Sequence, residues 1–83
     1  MRLLYFASLR ARVGCAEEEV ALPPQIHDVA GLLDWLRTRS DRHAEALCNL
    51  GLVRVAVNQD YVGFGHPVRE SDEVALFPPV TGG

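Results

Sequence analysis

The stretch Asp72-Glu73-Val74-Ala75-Leu76-Phe77-Pro78-Pro79-Val80-Thr81-Gly82-Gly83 decides how the rest of the chain is read. Residues 72–77 have strand length, and Val74, Leu76 and Phe77 are strong sheet formers, so a strand is predicted there. Pro78 and Pro79 must end it, because proline cannot donate to a sheet ladder and biases the residue before it towards extended geometry. The chain is thus expected to leave its sheet as a stiff tail over residues 78–83, able to reach roughly 20 Å at about 3.3 Å per residue. Gly82 and Gly83 are the last residues of the sequence and are read as its working end, not as a turn or a helix cap. A Gly-Gly segment has no Cβ atoms, so it can enter a channel too narrow for side chains and leaves a terminal carboxylate open to attack. A merely solvated tail would more often be polar throughout, whereas here an apolar strand, two prolines and Val80 precede Thr81 and the glycines.

Working back from this strand, residues 3–9 form an apolar, aromatic-bearing run of strand length, with residues 10–15 as a turn around Gly14. Residues 18–22 are the expected second strand, stopped by Pro23 and Pro24. The acidic triplet Glu17-Glu18-Glu19 reads as a solvated edge that discourages further pairing. Asp28 is a good N-cap for a helix in which Val29, Leu32, Leu33 and Leu36 fall at i, i+3, i+4 and i+7, giving one apolar stripe. Arg37 and Arg39 suit the negative end of that helix. Ser40 and Asp41 resemble a second cap, before a short helix with Ala44, Leu47 and Cys48 as its inner face. Residues 52–57 read as a strand, Asn58-Gln59-Asp60 as a turn, Tyr61 and Val62 as a short return strand, and residues 63–67 as loop.

The order is strand, strand, helix, strand, short strand, closing strand. It predicts an α+β fold, a mixed sheet with one main helix on one face, whose first and last strands can pair in parallel at the centre. One helix covers one face only, so apolar residues on the other face are left over. Phe6 and Phe77, with Leu4 and Tyr61 beside them, are expected to form an exposed patch that docks a partner and aims the tail into it.

Composition narrows the function classes. Eighty-three residues are one domain's worth of chain, and a net charge of −3 with scattered arginines argues against nucleic acid as the main partner. Lysine is absent. Cys15 and Cys48 stand far apart and read as reduced thiols, while His27, His43 and His66 lack ligand spacing, so no metal site is expected. No stretch could span a membrane, no cleavable leader pattern follows the first apolar run, and a reducing, cytoplasmic setting is expected. No P-loop, no Ser-His-Asp order and no paired carboxylates stand out; the chain is expected to bring no catalytic machinery of its own.

The ending resembles that of the ubiquitin-like sulfur carriers, the molybdopterin synthase small subunits in particular. The likeness continues in Leu4-Tyr5-Phe6-Ala7-Ser8-Leu9-Arg10, Val29-Ala30-Gly31-Leu32-Leu33 and Val55-Ala56-Val57-Asn58-Gln59, and so covers nearly the whole chain. Ser71 stands where the family pattern has glycine, and Asp28 where threonine is common. The resemblance implies a β-grasp (ubiquitin-like) domain over residues 1–83 with residues 78–83 as its tail. It implies that the Gly83 carboxylate is adenylated by a ubiquitin-activating-like adenylyltransferase using ATP and magnesium, then converted to a thiocarboxylate with sulfur from a donor protein. The tail residues Val80, Thr81, Gly82 and Gly83 then enter the large subunit of molybdopterin synthase, in a heterotetramer, and sulfur passes to a cyclic pterin monophosphate in molybdenum cofactor biosynthesis. No tightly bound cofactor of its own is implied. Other members carry sulfur for thiamin, tRNA thiolation or cysteine synthesis, or act as protein modifiers; Phe77-Pro78-Pro79 and Asn58-Gln59 favour the molybdopterin branch.

Overall fold

The computed structural model describes residues 1–79. Five strands form one mixed sheet in the order β2-β1-β5-β3-β4: β1 is Arg2–Tyr5, β2 Glu17–Glu19, β3 Arg54–Val57, β4 Asp60–Val62 and β5 Glu73–Phe77. Helices α1 (Ala7–Val13), α2 (Val29–Arg37) and α3 (Asp41–Ala46), with a 3-10 turn at Leu50–Leu52, complete the described chain. The closing strand β5 is central. It pairs in parallel with β1, Leu3 opposite Val74 and Tyr5 opposite Leu76, and antiparallel with β3, Val55 opposite Leu76. The α+β arrangement and the parallel pairing of first and last strands are as the element order predicts.

Alternation along the strands places Leu3 and Tyr5, Val55 and Val57, and Val74 and Leu76 on one face, where all are buried. There they join Val29, Leu32, Leu33 and Leu36 of α2 in a single core. α2 forms because its apolar stripe has helical period and Asp28 closes its start: Asp28 Oδ1 accepts from the Gly31 N–H at 2.8 Å. At its other end the Thr38 hydroxyl donates to the Trp35 carbonyl at 2.6 Å, and the Arg39 guanidinium lies 5.0 Å from the Trp35 ring centre.

The first strand is shorter than predicted. The chain leaves the sheet after Phe6, and residues expected to finish a strand and make a turn instead form α1. Ala7 takes φ of 51° at the switch, and Gly14, at φ 95°, ends the helix with its N–H on the Arg10 carbonyl at 2.9 Å. Ala, Leu and Arg are good helix formers, and Leu9 and Val13, one turn apart, bury the inner face of α1. The second strand is likewise earlier and shorter than the predicted 18–22, since Glu17–Glu19 is what pairs with β1. In α3 the Ser40 cap forms, its hydroxyl accepting from the His43 N–H at 3.1 Å, but the buried residues are His43, Ala46 and then Leu47, with Cys48 exposed. The third strand starts at Arg54 because Leu50–Leu52 is a 3-10 turn.

The β3–β4 hairpin turns on Asn58 and Gln59, both at positive φ (51° and 72°), the pattern of a type I′ turn. Asn58 also pins the hairpin to the start of β5. Its side-chain oxygen accepts from the Glu73 N–H at 3.0 Å, and its amide nitrogen donates to Asp72 at 3.0 Å.

Candidate functional site

β5 carries Pro78 and Pro79 at its end and is hydrogen-bonded on both flanks, so the root of the tail is anchored in the middle of the sheet. Val80, Thr81, Gly82 and Gly83, the tail residues predicted from the sequence, lie outside the described residues. The structure therefore speaks to the platform from which they depart.

Among the described residues no helix lies over the sheet face opposite α2. Across it Leu4 opposes Ala75, Ala75 opposes Ala56, and Ala56 opposes Tyr61, so two alanines make a low floor between larger side chains. Phe77 stands in the next row opposite Arg54. Its ring lies 5.5 Å from that of Tyr61, tilted by 47°, within the range for favourable aromatic pairs. Phe6 keeps extended backbone and its N–H bonds to the Leu76 carbonyl, which brings it beside Phe77. Phe6 is 48% exposed and Tyr61 83%, while Phe77 is half-buried. The sequence-predicted residues Phe6, Tyr61 and Phe77 thus share one face, next to the tail root. Phe64 does not cover them. Its carbonyl accepts from the Ala30 N–H at 2.9 Å, which ties its loop to α2 on the other side of the sheet, where Phe64 packs on the main core.

Arg54 borders this face with its guanidinium held by the Gly51 and Val53 carbonyls at 3.0 and 3.1 Å, and a shallow cleft of about 260 Å3 lies between Arg54, Tyr61 and Phe77. Sequence reasoning missed Leu52, which it placed in a strand. In the 3-10 turn Leu52 is 57% exposed and lines a second cleft, of about 370 Å3, shared with Pro78, Pro79, Leu9 and Arg12.

Sequence reasoning also misread the acidic edge. Glu18 is not a free surface carboxylate: its Oε1 accepts from the Tyr5 hydroxyl at 2.8 Å and lies 2.7 Å from His43 Nε2, while His43 Nδ1 lies 2.7 Å from Ser40 Oγ. Arg39 stands 3.7 Å from the other oxygen. Burial pushes the Glu18 carboxyl up, but the hydrogen bonds from His43 and Tyr5 outweigh it and hold the group below the usual carboxylate range. Burial, then the bond to Glu18, pushes the Tyr5 hydroxyl well above its ordinary value. Every polar atom in the network has a partner, and it ties β2, β1 and α3 together. It is a structural clamp away from the aromatic face.

Among the described residues no three His, Cys, Asp or Glu side chains come together as a metal site, both cysteines are free thiols, and no helix is long and apolar enough to cross a membrane.

Residues 3–83 match the model of the ThiS family. The molybdopterin synthase sulfur carrier subunit of Escherichia coli strain K12 is 45% identical over 83 residues, covering 100% of this chain and 99% of that protein. Among solved structures, a putative molybdopterin converting factor, subunit 1, from Pyrococcus furiosus superposes with a TM-score of 0.75 at 30% identity, covering 95% of each chain. The small archaeal modifier protein 1 of H. volcanii superposes with 0.74 at 27% identity, covering 96% of this chain and 97% of that one. The mixed sheet with its central parallel pair is the β-grasp architecture of these neighbours, and with the family match spanning residues 3–83, this chain belongs to the ThiS family.

Proposed function

We propose that this chain is the sulfur carrier subunit of a molybdopterin synthase, with the carboxyl group of Gly83 as the group that carries sulfur. The observation that carries this reading is the placement of the tail root at the end of the central strand, beside an uncovered aromatic face. An anchored strand, a Pro-Pro spacer and an apolar docking surface together aim a short, side-chain-poor segment into another protein. The likeness to the E. coli sulfur carrier subunit supports the choice of pathway.

A free carboxylate is a poor electrophile because attack on it must expel an oxide-like group. In the proposed cycle a partner adenylyltransferase, using ATP and magnesium, joins Gly83 to AMP and releases pyrophosphate. A persulfide on a donor protein then displaces AMP to form an acyl disulfide, a second thiol cleaves that disulfide to leave a thiocarboxylate on Gly83 and a disulfide on the donor side, and the tail enters the large subunit of the synthase. There sulfur passes to a cyclic pterin monophosphate, water restores the carboxylate, and Phe6, Tyr61 and Phe77 form the contact that holds the two subunits together. The chemistry is supplied by the partners. This chain supplies reach and register, in a reducing, cytoplasmic setting.

Removing Gly83 tests the reading. Sulfur transfer to the pterin should be abolished while the thermal unfolding curve stays unchanged, because β5 ends before the tail begins. Retained transfer contradicts the proposal. A second reading, a protein modifier, draws on the likeness to the small archaeal modifier protein 1 of H. volcanii. It predicts isopeptide-linked adducts in place of a sulfur-bearing terminus.

A further inference from the structure

The clamp at the sheet edge also brings a hydroxyl, an imidazole and a carboxylate into one chain of hydrogen bonds. Ser40 Oγ lies 2.7 Å from His43 Nδ1, and His43 Nε2 lies 2.7 Å from Glu18 Oε1. The Tyr5 hydroxyl, 2.8 Å from the same oxygen, and the Arg39 guanidinium, 3.7 Å from the other, fix the carboxylate. The Tyr5 ring meets the imidazole close to edge-on, with 6.2 Å between ring centres. The imidazole is sheltered and the hydroxyl is not: His43 is 8% exposed, whereas Ser40 is at the surface.

The pattern of bonds decides which atom carries each proton. Glu18, held below the usual carboxylate range, is ionised at neutral pH and can only accept. In the neutral imidazole, Nε2 therefore carries the proton and Nδ1 presents a lone pair to Ser40. Ser40 Oγ already accepts from the His43 N–H at 3.1 Å as the helix cap, so its own hydrogen is free to donate to Nδ1. A hydroxyl donating to an imidazole whose far nitrogen is held by a carboxylate is the arrangement that activates a serine as a nucleophile. Ser8 and Ser71 are also exposed, but among the described residues Ser40 is the one serine bonded to an imidazole.

We propose that Ser40 is an acylation site, a nucleophilic hydroxyl that takes an acyl group from an activated ester or mixed anhydride, with His43 as its base and Glu18 orienting that base. Oγ attacks the acyl carbon as its proton passes to Nδ1. The Oγ–C bond forms, the bond to the leaving group breaks, and the leaving group departs with that electron pair. The Glu18 carboxylate balances the imidazolium so formed, which then gives its proton to the leaving group or to solvent. The product is a serine ester and a regenerated imidazole. The site lies against the edge strand β2, two places from β5 in the sheet, and stands whether or not Gly83 carries sulfur.

The test is acetylation of the folded protein by p-nitrophenyl acetate at neutral pH, with acetylated residues located by peptide fragmentation and their rates compared within one molecule. Ser40 should acetylate about a hundredfold or more faster than Ser8 and Ser71, the lower end of what a positioned base contributes. The difference should vanish in denaturant, where the three serines are equally solvated. His43→Gln, verified as folded by its unfolding curve, should bring Ser40 down to the rate of Ser8. Imidazole nitrogen resonances read the tautomer directly: His43 should carry its proton on Nε2 in the unaltered chain and lose that preference in E18Q, which a merely structural carboxylate would not require. Equal rates at Ser40, Ser8 and Ser71 in the folded chain overturn the proposal, as does a Ser40 advantage that persists in denaturant or in folded His43→Gln. A neutral His43 with its proton on Nδ1 also overturns it, because Ser40 could not then donate to that atom. An E18Q chain with the same tautomer and the full Ser40 rate overturns the part given to Glu18.

Discussion

Replacing Glu18 by glutamine tests whether the Tyr5–Glu18–His43 network is part of what holds the sheet edge to α3. The carboxylate accepts from the Tyr5 hydroxyl at 2.8 Å, meets His43 Nε2 at 2.7 Å and has Arg39 at 3.7 Å, and both Tyr5 and His43 are buried. Glutamine keeps the shape and one acceptor oxygen but removes the charge that strengthens these bonds. Bonds to charged groups contribute about 1.5–3 kcal/mol and neutral ones about 0.5–1.5, so E18Q should cost about 1–3 kcal/mol. In a domain of this size that lowers the melting temperature by roughly 5–20 °C. The pH dependence has a definite sign. A carboxyl held below its ordinary value contributes stability that is fully present above the unfolded value, about 4.3, and is lost as the pH falls through the lower folded value. The gap between the two proteins should therefore be full at pH 7 and close below about pH 4, where Glu18 itself becomes neutral. Thermal unfolding followed by circular dichroism across that range measures it. Equal melting temperatures at pH 7, or a gap that persists undiminished in acid, would refute the reasoning.

Three further outcomes follow from the same structure. Asp28→Ala removes the acceptor at the start of α2 and should cost about 1 kcal/mol in denaturant unfolding, with little change on substitution to serine. Gln59→Gly places a residue indifferent to positive φ at the second turn position, where φ is 72°, and should stabilise the protein by about 0.5 kcal/mol after the flexibility of glycine is subtracted; a loss of stability would show that the Gln59 side chain contributes more than its strain. Tyr61→Asp and Phe77→Asp should weaken binding to the synthase large subunit by about tenfold or more. Tyr61, 83% exposed, should do so with less than about 0.5 kcal/mol change in stability, which separates docking from folding.

The sequence spoke clearly where one residue type has one physical reason. The helical spacing of Val29, Leu32, Leu33 and Leu36 with Asp28 before it could only be a capped helix packed on one surface. The apolar runs at both ends could find partners only in each other. α1 was hidden because Phe6 prolongs an apolar run that looks like strand, and the break lies in a backbone switch at Ala7 that composition does not announce. The one available signal was the spacing of Leu9 and Val13. Glu18 was misread for a different reason. Three consecutive glutamates look solvated, and only the register opposite Leu3 brings the middle one to Tyr5 and His43, 13 and 25 positions away in the chain. The outer aromatic face was legible because strand alternation fixes which residues it displays. The clefts beside it were not, since Leu52 and Arg12, forty positions apart in the chain, come to line one cleft with Pro78 and Pro79 only in the folded protein.

The central claim is that the backbone terminus, not a side chain, is the working group. Intact mass of the protein isolated from its source, followed by fragmentation, addresses it directly. The account predicts a population in which one oxygen at Gly83 is replaced by sulfur, lost on incubation with the synthase and its pterin substrate; a terminus found only as free carboxylate or only as adducts to other proteins would contradict it.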